Sequence, residues 1–281
     1  MELLIALTIL AVTGIAVGFG EGLLGVGGSF IMVPVVFWLF TAMDVTSDTA
    51  IKLAFGSALL VAFPTAISGT LIHTKKRAVW WKAALILGLF GSLGALTGST
   101  ITAQFLTAAI LKPLFGIVIA IGSIQMVIGK LPEAEAEEEG SELKAHPLVW
   151  ALLGFAVGLL SGLIGIGGGT ILVPALVMGL KFKLHHAIGT SLAVLIFTSC
   201  SGALGYLLNG LAVLDLPPYS VGYLNLFIFA CLAVTSIPVA QLGARTAHTL
   251  PAMQLRYLFA AVMFYIALRM IYSSTHLLLP F

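Results

Sequence analysis

The chain has 281 residues, 60% of them hydrophobic and 9% charged, with 13 Lys and Arg against 11 Asp and Glu for a net charge of +2. Mean hydropathy is +1.14. A soluble domain carries roughly 25% charged residues, so composition excludes one; the near-neutral balance identifies no partner by itself, and no nucleic acid is expected.

Apolar runs recur at roughly 3–42, 50–73, 79–103, 105–129, 148–180, 186–208, 219–244 and 251–272. Each is long enough to cross a hydrocarbon core of about 30 Å. The chain is therefore expected to be an all-α, multi-pass membrane protein. The opening Met1-Glu2-Leu3 lacks the basic region of a signal peptide, so the first block is expected to be retained.

The first block carries GFGEGLLGVGGSFIMVP over Gly18–Pro34, and the fifth carries GLLSGLIGIGGGTILVP over Gly158–Pro174. Gly18, Gly22, Gly25, Gly27, Gly28 and Pro34 match Gly158, Gly162, Gly165, Gly167, Gly168 and Pro174 without a gap. Crowded glycine and proline imply broken backbone, which lipid tolerates only where protein or a cavity covers it. Paired breaks at corresponding places point to a transporter's central site.

The correspondence continues beyond the glycines. Ala54-Phe55-Gly56-Ser57 matches Ala187-Ile188-Gly189-Thr190, Ser68-Gly69 matches Ser201-Gly202, and Leu93-Gly94-Ala95 matches Leu242-Gly243-Ala244. In the last block of each half, Lys112, Leu114, Phe115 and Met126 match Arg256, Leu258, Phe259 and Met270. Between the halves, Lys130–His146 is polar, with Glu133, Glu135, Glu137, Glu138, Glu139 and Glu142. It reads as a solvated linker. The expected organisation is a first transmembrane repeat over 1–130, an acidic cytoplasmic linker over 131–147 and a second repeat over 148–281.

Charge sets the expected orientation. If each first block crosses once, the halves have equal parity and the basic residues divide between the two faces. If each folds back at its glycines, the second half is inverted. Lys75, Lys76, Arg77, Lys130, Lys144, Lys181, Lys183, Arg245 and Arg256 then share one face, opposite Lys112, Lys52, Asp44, Asp48 and Asp215. The positive-inside rule favours this second arrangement. It predicts two inverted repeats, each a glycine-tipped helical hairpin plus three transmembrane helices, about ten helical segments in all. Both termini would lie outside. The hairpins' second arms are short for a full crossing, so a re-entrant path remains open.

Amides at a glycine tip, with a helix N-terminus behind them, suit an anion. Gly25, Gly27, Gly28 and Ser29 form one candidate site; Gly165, Gly167, Gly168, Gly169 and Thr170 form the other. In an inverted pair the two tips would meet near the midplane. The competing reading is that these glycines only permit tight helix packing.

Ser57, Thr65, Ser68, Thr190, Ser191, Thr198, Ser199 and Ser201 form a second polar set on the equivalent helices. They either line a pathway or bond back to their own helices; Ser57, Thr190 and Ser191 are kept as substrate-binding candidates. Gln241 and Arg245 are candidates for a polar lining or cytoplasmic mouth.

Glu21 is the acidic residue expected deep within an apolar span, and its partner in the repeat is Ser161. A carboxylate there defaults to a functional reading. A proton on Glu21 would remove its repulsion of a bound anion and couple transport to protons. Arg269, opposite Gln125 in the repeat, would balance Glu21, bind an anion or snorkel to an interface.

His73 and His185-His186 fall at expected cytoplasmic ends without metal-ligand spacing, so no metal and no cofactor is expected. Trp80-Trp81 beside Lys75–Arg77 reads as an interfacial anchor. Cys200 and Cys231 read as core residues. Neither a P-loop nor a nucleophile elbow occurs, so an enzyme is not expected.

GEGLLGVGGSFIMVP and SGLIGIGGGTILVP, with Ala187–Leu192 (AIGTSL) after the second and Leu255–Met270 (LRYLFAAVMFYIALRM) near the end, resemble the sulfite exporter TauE/SafE family. The resemblance spans nearly the whole chain. It implies a bacterial or archaeal inner-membrane permease for sulfur-containing anions such as sulfite, sulfoacetate, other organosulfonates or thiosulfate, most often in export. It supports the glycine motifs as the site and does not single out Glu21. Phe55-Gly56-Ser57-Ala58 departs from the family's Gly-Thr-Ser-like pattern, which is fuller at Gly189-Thr190-Ser191.

The reading is a secondary transporter of a small sulfur-containing oxyanion working by alternating access. Its expected partners are that anion and the lipid bilayer, and a homodimer is compatible with it. A small-anion channel, or a scaffold that assists assembly of a partner complex, stands as the alternative.

Overall fold

The computed structural model describes residues 3–128, 147–180, 182–248 and 253–278. The acidic linker, and Lys130, Lys144 and Lys181 with it, lie outside the described residues.

The first half forms α1 (Leu3–Leu24), α2 (Ser29–Thr41), α3 (Ser47–Lys75), α4 (Trp81–Phe105) and α5 (Ala108–Ile128). The second forms α6 (Pro147–Ile164), α7 (Gly169–Pro174), α8 (Leu184–Gly210), α9 (Leu226–Thr246) and α10 (Met253–Leu278). After Pro174, α7 widens without a break into a π-helical turn over Ala175–Gly179, giving an apolar helix over Gly169–Gly179. Among the described residues, seven helices are long and apolar enough to cross a membrane. Trp38 (67% exposed) and Val234 (75% exposed) belong to a wide set of outward apolar side chains, as lipid contact requires. The protein is an all-α, multi-pass membrane protein.

Both first blocks break at their glycines. Gly25 (φ 65°), Gly27 (φ 76°), Gly165 (φ 66°), Gly167 (φ 80°) and Gly168 (φ 88°) hold left-handed backbone that a side chain would strain. Each break separates a long arm, α1 or α6, from a short one, α2 or α7.

Each half packs mainly on the other. α1 runs alongside α9 in the same direction, with Gly18 against Ser236 and Gly22 against Ala240. α4 runs alongside α6 in the same direction, with Gly94 against Phe155 and Gly98 against Leu159. In lipid such seams depend on close backbone approach, since apolar burial gives little preference for helix over lipid tail. α3 and α8 run antiparallel, Gly56 meeting Tyr206 and Gly69 meeting Leu192. α5 and α10 do likewise, Gly116 beside Ile271 and the Ser123 hydroxyl donating to Ala260 O at 2.8 Å. α3 and α8, and α5 and α10, thus point in opposite directions.

One block differs from its sequence reading. The apolar run over 219–244 does not start as a helix: Ser220–Val221 (β1) pairs antiparallel with Leu224–Asn225 (β2), and α9 begins at Leu226. Pro217 and Pro218 lead in, and left-handed Tyr219 (φ 65°) and Gly222 (φ 56°) turn the chain back on itself. Asn225 then caps α9, its side-chain oxygen accepting from Ile228 N at 3.0 Å.

Candidate functional site

The two glycine turns touch. A Cβ on Gly169 would collide with the Gly25 carbonyl oxygen, and one on Gly27 would lie 2.9 Å from Ile166 O. The Thr170 hydroxyl donates to Val26 O at 3.0 Å, across the two halves. Ser191, from α8, donates to Gly25 O at 3.0 Å, and Thr198, two turns further along the same face, donates to Gly167 O at 2.9 Å. Leu195 lies between them and packs on both Gly27 and Gly167. These bonds satisfy carbonyls that the breaks leave without helical partners. The turn amides at the start of each short arm remain the donors.

Glu21 closes the first turn. Fully buried, it accepts the Gly28 N–H on Oε2 at 3.2 Å, while Oε1 has no protein partner. Carboxylate against the first amides of a helix is a favourable pairing. Ser29, at the start of α2, is buried with its hydroxyl unpartnered. Ser161, Glu21's counterpart, is also buried with an unpartnered hydroxyl.

The other candidates separate. The Ser57 hydroxyl accepts from Asn225 N at 2.9 Å, and the Thr190 hydroxyl accepts from Trp80 N at 3.0 Å. The two residues correspond in the repeat, and each ties down the approach to the next helix of the neighbouring half. Neither hydroxyl points its bond at the glycine turns. Thr65 meets Ser236 at 2.9 Å and Ser68 donates to Ile237 O at 2.7 Å, so both join α3 to α9. Ser199 bonds back to its own helix at Leu195 O, the local reading of such hydroxyls. Gln241 and Arg245 lie on α9 next to Ala240 and Ala244, which pack on Gly22; Gln241 is half-buried and Arg245 exposed. Arg269 is exposed on α10, while Glu21 is fully buried, so Arg269 does not balance it.

A histidine group lies at the end of the molecule that carries Lys75, Lys76 and Arg77. Buried His73 meets Gly22 O through Nε2 at 3.0 Å and His248 through Nδ1 at 3.2 Å. A carbonyl only accepts, so Nε2 of His73 carries the hydrogen and Nδ1 accepts from His248. His185 stacks on His248 with ring centroids 5.1 Å apart. Burial, then His185 and Lys76 beside it, hold His248 below its usual value of 6.5. Sequence reasoning placed His73 and His185 at this end but left out His248, since nothing local to His248 announces contacts so far back in the chain.

At the opposite end, Asp48 accepts the Ala108 N–H and so caps α5. Lys52 donates to Ala103 O at 2.9 Å, and the Lys112 ammonium sits 4.5 Å from the centre of the Phe37 ring. One turn deeper, Phe55 stacks on Phe115 at 5.9 Å and lies against Gly165 of the second turn.

A family model described as sulfite exporter TauE/SafE matches residues 10–270. A probable membrane transporter protein of Methanocaldococcus jannaschii is 29% identical over 262 residues, covering 93% of this chain and 94% of that protein. One of Xylella fastidiosa is 33% identical over 180 residues, 64% of this chain and 66% of its own. The probable membrane transporter protein YunE of Bacillus subtilis is 27% identical over 215 residues, 72% and 78% respectively. No solved structure matches the chain.

Proposed function

The chain belongs to the sulfite exporter TauE/SafE family, and from that premise we propose that it is a secondary transporter of a small sulfur-containing oxyanion, sulfite or an organosulfonate, working as an exporter in the inner membrane. The two halves act as an inverted repeat and rock about the glycine turns, which hold the anion by amides and hydroxyls. No cofactor and no enzymatic step enters this account.

The observation that carries the reading is the direct meeting of the two turns, with Thr170 bonded to Val26 O and Gly169 packed on Gly25. Broken helices at one shared place between two halves are the arrangement in which transporters hold substrate. The opposed directions of α3 and α8, and of α5 and α10, support inversion. Neutral donors suit a sulfonate or sulfite group and avoid a fixed cation, which would slow release.

The orientation follows from charge. Lys76 joins the end of the molecule where His73, His185 and His248 gather, and this end is assigned to the cytoplasm with the acidic linker. Both termini are then outside.

Counterflow in proteoliposomes tests the assignment, with sulfite, thiosulfate, 2-sulfoacetate, other sulfonates and carboxylates as the panel. Saturable exchange of one or more sulfur anions is expected. Exchange of carboxylates alone, or of nothing in the panel, contradicts it.

A further inference from the structure

The repeat keeps its glycines through both turns and departs at Gly20 and Leu160, Ser29 and Gly169, Phe30 and Thr170, and at the pair that puts a carboxyl group opposite a hydroxyl, Glu21 and Ser161. The surroundings correspond. Val17 packs on Gly28, and its counterpart Val157 packs on Gly168. What fills the two frames differs. In the first, the buried Glu21 carboxylate receives the Gly28 N–H. In the second, Ser161 faces Gly168, its Cβ 3.6 Å from where a Cβ on that glycine would stand. Its hydroxyl is buried, 1% exposed, and has no protein partner.

The backbone differs at the same place. Gly28 is right-handed at φ −78°, whereas Gly168 is left-handed at φ 88°. The other turn glycines agree between halves, Gly25 with Gly165 at 65° and 66°, and Gly27 with Gly167 at 76° and 80°. So the backbone departs only at Gly28 and Gly168, which lie between the Glu21–Ser161 and Ser29–Gly169 exchanges, while the earlier turn glycines agree.

We infer that the two turns have different tasks: Glu21 is a tethered carboxylate that fills the anion position of the first turn, and the substrate's acidic group is taken at the second, by the Ser161 hydroxyl and the Gly168 amide. This rests on the transport reading above and makes it specific. The first turn displays, with an attached acid, the recognition that the second offers to a free one. A buried serine hydroxyl without a partner is costly unless something accepts from it or donates to it. A small oxyanion accepts from both the hydroxyl and the neighbouring amide. Because one turn is self-occupied, a single anion binds per protein.

The test uses the purified full-length protein in detergent micelles, with sodium sulfite and sodium 2-sulfoacetate as probes in isothermal titration. Binding at one site per chain is expected for the wild type. Ser161→Ala should weaken it about tenfold or more, the scale of one hydrogen bond to a charged group. Ser161→Glu should abolish it by tethering a second carboxylate, and Glu21→Ser should raise the stoichiometry to two. Gel filtration and helical circular dichroism report whether each variant folds; should Ser161→Glu not fold, Ser161→Ala decides alone.

Wild-type affinity in folded Ser161→Ala overturns this assignment while leaving the transport reading intact. Loss of binding in Glu21→Ser with none in Ser161→Ala overturns it too, by moving the substrate to the first turn. A wild type that binds neither probe, and exchanges no anion in liposomes, overturns both readings together.

Discussion

The Thr170 hydroxyl donates to the carbonyl of Val26 at 3.0 Å, joining the first turn of α7 to the glycine bend before α2. A side chain of one half thereby satisfies the backbone of the other where both helices are broken. Ser191 does the same for Gly25 O from α8. Because these carbonyls are buried, replacing the donors leaves acceptors unpaired, at about 1–3 kcal/mol each. Thr170→Val and Ser191→Ala should each lower thermal stability and slow exchange. Exchange measured beside a melting curve separates the two effects: a variant with wild-type melting and wild-type flux shows that the bond does not matter.

Close approach makes a sharper prediction. Alanine at Gly169 would press on Gly25 O and the Val26 carbonyl, and no flexible side chain is there to yield. Alanine at Gly25 adds left-handed backbone strain to contact with Ile188. Both substitutions should reduce exchange at least tenfold even where protein of normal size and helicity is recovered. Gly179→Ala is the matched control, since nothing lies within 4 Å of the added carbon. It should exchange as the wild type does.

Glu21 gives a prediction about protons. Its carboxylate is buried beside the turn and bonded to Gly28 N. If its proton accompanies the anion, Glu21→Gln should still fold, because an amide oxygen also accepts from Gly28. Exchange should then lose its dependence on pH. Transport that keeps both rate and pH profile in Glu21→Gln removes Glu21 from coupling.

The histidine group sets an acid limit on stability. His248 is held below its usual value of 6.5 by burial and by His185 and Lys76, and it donates to His73. The folded state therefore binds fewer protons than the unfolded chain in the window below that value. The contribution is complete above the unfolded value and is lost as pH falls through the lower folded one. Melting temperature should fall as pH drops below about 6.5, and His248→Asn should flatten that limb. An unchanged acid limb would show that the group does not govern it.

How much of this was legible depended on how local the physical demand was. The turns were legible because left-handed backbone at Gly25, Gly27, Gly165, Gly167 and Gly168 selects glycine whatever surrounds it. Their meeting was an expectation from duplication, and the contact of Gly169 with Gly25 accords with it. Ser57 and Thr190 were harder. A hydroxyl in an apolar helix takes whatever polar group the fold brings, and here that was the amide of a distant chain segment, Asn225 or Trp80. The strand pair at Ser220–Asn225 was hidden at the start of the apolar run over 219–244. Pro217, Pro218 and Gly222 were the available signal. Ser161 looked like nothing more than Glu21's unequal partner until its hydroxyl was found buried and unpaired.

A carrier working through the paired turns is tested most directly by exchange of labelled sulfite into sulfite-loaded proteoliposomes, compared among wild type, Gly169→Ala and Gly179→Ala. A transient accumulation that needs internal sulfite, present in wild type and Gly179→Ala and absent in Gly169→Ala, is the expected result. Equal accumulation in folded Gly169→Ala, or uptake indifferent to what the vesicles contain, would contradict a carrier working through the paired turns.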